Sequence, residues 1–303
     1  MKRRKAMGRT RSDVIFDGVV FVVLTVTMLV VAYPLYFVVI SSFSDPIAVA
    51  AGKVTFYPIG MTMEGYSKVL KEQTVLRGFL NSLWYTVLGV GINLLVTVPT
   101  SYALSRRDFF GQKAITIYYM ITMFVGGGLI PTYLVVSQTG LLDSVWALVV
   151  PGALGVYNMI VGRTFFTTNI PSELLEAARI DGCGNTRFFL YIVLPLSGAI
   201  IAILTLYYGI GHWNSYFSAL MYITTRAKWP LQLELRSILL QNQWNQTVQL
   251  MTAEQLAEKE RQEALVEMMK YSLIVISTIP MMVLYPFIQK YFVKGVMIGS
   301  IKG

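Results

Sequence analysis

With 303 residues the chain is long enough for one or two water-soluble domains, yet 55% of it is hydrophobic and only 14% is charged, a composition that argues against a soluble enzyme. The apolar residues fall in runs near or above twenty, and about 20 residues of helix cross a roughly 30 Å hydrocarbon core. The net charge of +9 is unevenly placed, so it reads as a membrane-topology signal and not as a nucleic-acid surface.

The expected fold class is an all-α integral membrane protein with six transmembrane helices. The runs are Val14 to Ser41, Asn81 to Leu104, Ala114 to Val136, Ser144 to Phe166, Leu196 to Tyr222 and Tyr271 to Tyr291. Residues 14–295 would form the membrane domain, between tails at 1–13 and 296–303. With six spans, both termini share a side with the loops at 105–113 and 167–195. That side, with the adjoining span ends, carries 15 Lys/Arg against 6 Asp/Glu, whereas the side of the 42–80, 137–143 and 223–270 loops carries 10 of each. Basic excess marks the cytoplasmic face, so both termini are expected inside and the loops at 42–80 and 223–270 outside.

Lys2, Arg3, Arg4 and Lys5 before an apolar run resemble a signal peptide, but a signal's apolar region is only about 7–15 residues long. The first run is far longer and is read as an uncleaved span. In the first external loop, Asp45-Pro46 and Tyr57-Pro58-Ile59-Gly60 signal turns, and Glu64 to Lys71 suits a short surface helix. Arg106, Arg107 and Lys113 mark a tight cytoplasmic turn. Gly126-Gly127-Gly128 and Pro131 interrupt the third run, which is tolerated in lipid where neighbouring helices or a cavity satisfy the freed backbone groups.

Between the fourth and fifth runs lies a polar stretch that reads as a water-facing helix over 171–184. Pro171 suits the start of a helix, and Glu173 and Glu176 place negative charge near the positive end of its dipole. Ala177 and Ala178 are small enough for another surface to approach closely. Asp181-Gly182 provides the stop, Gly182 being free to turn left-handed, with Gly184 loosening the chain beyond. Phe188, Phe189, Ile192 and Val193 start a second helical piece, and Leu194-Pro195 mark the entry to the fifth run. The only cysteine, Cys183, excludes an internal disulfide and suits a reducing compartment.

The fifth run has a polar centre around His212, Trp213, Asn214 and Tyr216. Polar groups at that depth tend to face the bundle interior or a water-filled path. These four are the pathway or gate candidates, with packing as the competing account. A single histidine excludes a histidine metal cluster. In the last external loop, Thr252-Ala253-Glu254-Gln255 can form a capping box, with Leu256, Leu265, Met268 and Met269 on one helical face. That face suits either a solvated amphipathic helix lying on the membrane or on a neighbouring loop, or a partner-binding surface.

Glu176-Ala177-Ala178, Asp181-Gly182 and Leu194-Pro195 in a positively flanked loop before the penultimate run resemble the EAA loop of type I ABC importer permeases of the carbohydrate-uptake group. The chain is similar over nearly its whole length to the second membrane subunit of the maltose transporter. Gly127-Gly128-Leu129-Ile130-Pro131-Thr132-Tyr133, Gly140-Leu141-Leu142-Asp143, Gly211-His212-Trp213-Asn214 and Val293-Lys294-Gly295-Val296 resemble the subgroup of lipo-oligosaccharide and pectin-fragment permeases of Gram-positive bacteria.

This resemblance implies a plasma-membrane protein that pairs with a homologous second permease and offers Glu173 to Gly184 as a coupling helix to one of two cytoplasmic ATPase subunits. It further implies an extracellular solute-binding protein delivering an oligosaccharide, part of Trp229 to Lys270 reaching toward that protein, and Lys294 to Gly303 touching the ATPases. Lipid would be the remaining partner, and nucleic acid is not expected. No G-x-x-x-x-G-K phosphate loop and no hydrolytic residue set are present. The chain is therefore expected to be non-catalytic and to bind no cofactor or metal, with ATP and magnesium on the partner ATPases. The alternatives are a peptide or amino-acid permease of the same architecture, a stand-alone secondary carrier, and a membrane receptor or scaffold using the 223–270 helix.

Overall fold

The computed structural model describes residues 10–244 and 253–299, which are helical or loop with no strand among them. The helices are α1 (Arg11–Ser42), α2 (Pro46–Ala50), α3 (Glu64–Lys71), α4 (Gln73–Ser105), α5 (Gln112–Phe124), α6 (Leu129–Gln138), α7 (Val145–Val149), α8 (Val156–Asn169), α9 (Ser172–Ile180), α10 (Asn185–Leu196), α11 (Gly198–Trp213), α12 (Phe217–Tyr222), α13 (Leu231–Trp244) and α14 (Ala253–Gly299). Three helices are long and apolar enough to cross a membrane: α1, α4 and the Glu263–Pro286 part of α14. Up to five spans are reached if α5 with α6, bent by 114°, and α10 with α11, bent by 78°, each count as one.

The chain divides into two compact units, residues 1–70 with 242–276 and residues 71–241 with 277–303. In the first, Thr10 and Asp13 close a capping box that starts α1. Most of α1 turns its apolar side chains outward, and only Ile40, Ser41 and Ser42 at its end are buried, the pattern of a helix solvated by lipid. Asp45 caps α2 through its bond from the Ala48 amide. The surface helix expected over Glu64 to Lys71 has those bounds. Leu265 and Met268 of α14 are buried, Met268 beside Gly65 of α3, so this part of the apolar stripe packs on its own chain. Thr252 of the expected capping box and the side chain of Leu256 lie outside the described residues.

In the second unit α4 is the central rail. Along its buried face runs a stripe of polar or small residues, Gly78, Ser82, Tyr85, Gly89, Asn93, Thr97 and Ser101, at steps of three or four. Leu95, 76% exposed, and Trp84 and Val87 face out. In lipid an apolar face gains nothing by turning inward, so packing and hydrogen bonds decide which face is buried. The stripe supplies partners for backbone that has left the helical state. Asn93 donates to the Gly152 and Ala153 carbonyls at 2.8 and 2.9 Å. Tyr85 donates to the Lys228 carbonyl and Asn81 to those of Ala227 and Trp229.

The fourth run, expected as one helix from Ser144 to Phe166, is therefore two. Pro151, Gly152 and Gly155 open the chain between α7 and α8, and Asn93 accounts for two of the released carbonyls. The third run breaks where the glycine triplet predicts. The stretch expected as the last external loop holds more helix than expected among its described residues: α13 fills part of its first half, and the helical second half, described from Ala253, continues without interruption through the sixth run as α14.

Candidate functional site

The segment singled out in the sequence folds as α9. It follows extended backbone at Pro171 and is shorter than the expected 171–184. Its end is a Schellman motif: Gly182 lies at φ 72°, its N–H donates to the Arg179 carbonyl at 3.0 Å, and the Cys183 N–H donates to the Ala178 carbonyl at 2.8 Å. Both bonds satisfy carbonyls that the helix end would otherwise leave bare. Gly184, by contrast, sits at φ −70°, ψ 157° as the cap of α10, a conformation open to any residue.

One face of α9 is anchored. Ala178 is buried and Leu175 partly so, against a core cluster that includes Tyr102, Phe166, Phe188 and Val193. The opposite face is open. Glu173, Glu176, Ala177 and Ile180, three or four residues apart and hence on one side of the helix, are all exposed. Ile180 is 87% exposed. A small residue and a bare apolar one thus lie between carboxylates on the open side of a helix fixed from behind.

An ionic strut, not foreseen from the sequence, fixes α9 to the end of α4. Arg106 grips Asp108 through two bonds, and Asp108 also receives Arg179 of α9. Arg106 donates as well to Asn185 at the start of α10, at 2.9 Å, and stands over the Tyr102 ring, which stacks on Phe189 at 5.1 Å. The signal available in the sequence was opposite charge on two loops assigned to one side, Asp108 and Arg179.

The Arg106 guanidinium, and after it that of Arg179, holds the Asp108 carboxyl well below the usual carboxylate range. A depressed carboxylate contributes above its ordinary value of about 4 and loses that contribution only as pH falls through the folded value. The strut is therefore expected to be insensitive to pH between roughly 6 and 8 and sensitive to salt, because half-exposed pairs contribute about 0–1 kcal/mol each and are screened. Asp108→Asn should speed amide hydrogen exchange in α9 several-fold at low salt, a difference that shrinks as NaCl rises. Identical salt titrations of variant and parent would remove the strut from the account.

Beyond α9, Leu194 is partly buried and Pro195 exposed, both inside α10 and not at a helix start. Pro195 has no N–H for the Tyr191 carbonyl, and its ring crowds it. The preceding turn, Phe189–Val193, widens to a π-helix, and the Ser197 hydroxyl takes up the Val193 carbonyl at 2.6 Å.

The four pathway candidates part company. His212 packs on Gly89, where an added Cβ would lie 2.4 Å from its Nε2, and that nitrogen bonds Asn93 Oδ1 at 2.6 Å. Trp213 is 2% exposed, donates to the Ser277 carbonyl at 2.9 Å and meets Phe79 edge-on. Both pack against other residues of this chain. Asn214 and Tyr216 are exposed, in the break between α11 and α12. At the other end of the bundle, Asp143 accepts from the Thr224 and Thr225 amides, the Thr225 hydroxyl and Lys228 Nζ, fixing the 223–230 turn. Lys228 first, then the Thr225 bonds, keep its carboxyl low.

The fold is that of a multi-pass membrane protein with one short polar helix, α9, exposed along one face. No family model matches the chain. It is 36% identical over 289 residues to the polygalacturonan/rhamnogalacturonan transport system permease protein YtcP of Bacillus subtilis, covering 95% of this chain and 99% of that one. It is 35% identical over 297 residues to protein LplC of the same organism, covering 98% of each. A crystal structure of a bacterial ABC transporter that imports the acidic polysaccharide alginate contains a chain that matches with a TM-score of 0.84 and 30% identity, over 95% of this chain and all of that one. The chain belongs to the permease family of carbohydrate ABC transporters.

Proposed function

We propose that this chain is one of two different permease subunits of an ATP-driven oligosaccharide importer, and that α9 is its coupling helix. The observation that carries the reading is the open Glu173, Glu176, Ala177 and Ile180 face on a helix seated by Leu175 and Ala178 and strutted by Asp108. Each ATPase of a cytoplasmic pair, holding ATP and magnesium, would receive one such helix, and its closure would push α9 against the cytoplasmic ends of α4 and α10.

In the proposed topology the six runs cross the membrane, the bent third and broken fourth counting one each, with both termini and Cys183 inside. The turn held by Asp143 then lies outside, where a solute-binding protein docks, and 294–303 lies near the ATPases. The chain catalyses nothing itself. Acidic oligosaccharides are the favoured cargo, because one relative is named for polygalacturonan and rhamnogalacturonan and the solved neighbour for alginate.

The test is co-purification followed by reconstitution. A second permease, an ATPase and an outer-face binding protein should purify with this chain, and ATP hydrolysis by the assembly should rise with uronate oligosaccharides. Transport by the isolated chain would refute the reading, and stimulation by peptides alone would move it to another cargo class.

A further inference from the structure

We infer that Arg236 and Tyr216 form a subsite for the carboxylate and ring face of an acidic sugar on this permease; the inference rests on the uronate reading proposed above. The Arg236 guanidinium carbon stands 5.5 Å from the centre of the Tyr216 ring. Tyr216 is 42% exposed, and it sits where the fifth run leaves the helical state between Trp213 and Phe217. Asn214, two residues earlier, is exposed as well. Non-helical backbone in a membrane run is tolerated where it is buried in protein or lines a watery cavity, and here its side chains are open.

The other paired cations nearby have spent their charge inside the chain. Arg226 is bound to the buried Glu234 and Lys228 to Asp143. Arg236 makes no ion pair among the described residues and keeps its planar fork free. A guanidinium fork matches a carboxylate with two parallel bonds, and its stacking on an aromatic face holds it ready for them. The exposed phenol ring beside it offers an apolar surface to the C–H face of a pyranose. A neutral sugar would gain the ring alone, whereas a uronate would gain both.

The inference is tested on the purified permease–ATPase complex, without binding protein, with radiolabelled trigalacturonate and its neutral methyl ester as probes. The parent complex should bind the acid more tightly than the ester, and Arg236→Gln should weaken the acid by roughly tenfold or more while leaving the ester within about twofold, charge-assisted bonds being the only ones removed. Arg236→Lys keeps the charge without the fork and should fall between, which keeps the test readable if the glutamine variant does not assemble. Tyr216→Ala should weaken both probes. Acid preference unchanged in Arg236→Gln, with trigalacturonate uptake by the parent importer intact, overturns the subsite alone. An importer that takes up neutral oligosaccharides and no trigalacturonate overturns the uronate reading and the subsite with it.

Discussion

Asn93→Leu is expected to be the most damaging single substitution in the second unit, leaving little protein folded in mild detergent. One amide holds the unwound backbone between α7 and α8 through the Gly152 and Ala153 carbonyls, and its oxygen holds His212. Leucine has a similar volume, so no cavity complicates the result; three polar groups simply lose their partner. A buried orphan costs about 1–3 kcal/mol, although bonds between membrane helices average nearer 0.6 kcal/mol because the unfolded chain in lipid also finds partners. Since two of the orphans are backbone carbonyls fixed in a break, a loss of roughly 2–5 kcal/mol is expected. The check is thermal unfolding followed by size-exclusion fluorescence. A melting curve unchanged from the parent would show that α4 is not the rail described above.

Gly182→Val should act oppositely, sparing the fold and striking coupling. Nothing lies within 4 Å of a Cβ at this position, but φ is 72°. The cost is backbone strain, about 1–2 kcal/mol for an L side chain in the left-handed region and more for a β-branched one. Relief requires the α9 end to unwind, breaking the Gly182 and Cys183 bonds and moving Asn185 away from Arg106. Oligosaccharide-stimulated ATP hydrolysis should fall roughly tenfold, the size of a 1.4 kcal/mol shift, with membrane insertion unchanged. Gly184→Ala, two residues on, should fold normally because its backbone is ordinary and its surroundings are open. Equal damage from the two would mean that the glycines matter for contact and not for the helix stop.

The contrast between these positions also shows what the sequence makes legible. The stop at Gly182 is local chemistry and can be read from a few neighbouring residues, as can the helix over Glu64 to Lys71 and the break at Gly126 to Gly128. Apolar runs mark six candidate segments but not their straightness, and three helices, or up to five spans with each bent pair counted once, are long and apolar enough to cross. In lipid both the buried and exposed faces of α7 and α8 can be apolar, so hydropathy carries no mark of the break at Pro151. What stabilises that break is Asn93, 59 residues away from Gly152, and only the fold brings the two together. The strut is invisible for the same reason, since Asp108 and Arg179 are ordinary surface charges until α9 is placed under α4. His212, Trp213, Asn214 and Tyr216 all stand out in the sequence as polar or aromatic residues at membrane depth; the fold packs the first two against this chain's own residues and leaves the last two exposed, and only the fold brings Arg236 over the Tyr216 ring.

The central claim is that α9 offers its open face to an ATPase. A photo-crosslinking residue placed in turn at Ile180, Ala177, Leu175 and Ala178, in the assembled complex in membranes, tests it most directly. The account predicts ATPase adducts from 180 and 177, and none from 175 and 178, which face the core of this chain. Capture from the buried pair, or capture at 180 of an outer-face binding protein in place of the ATPase, would contradict it.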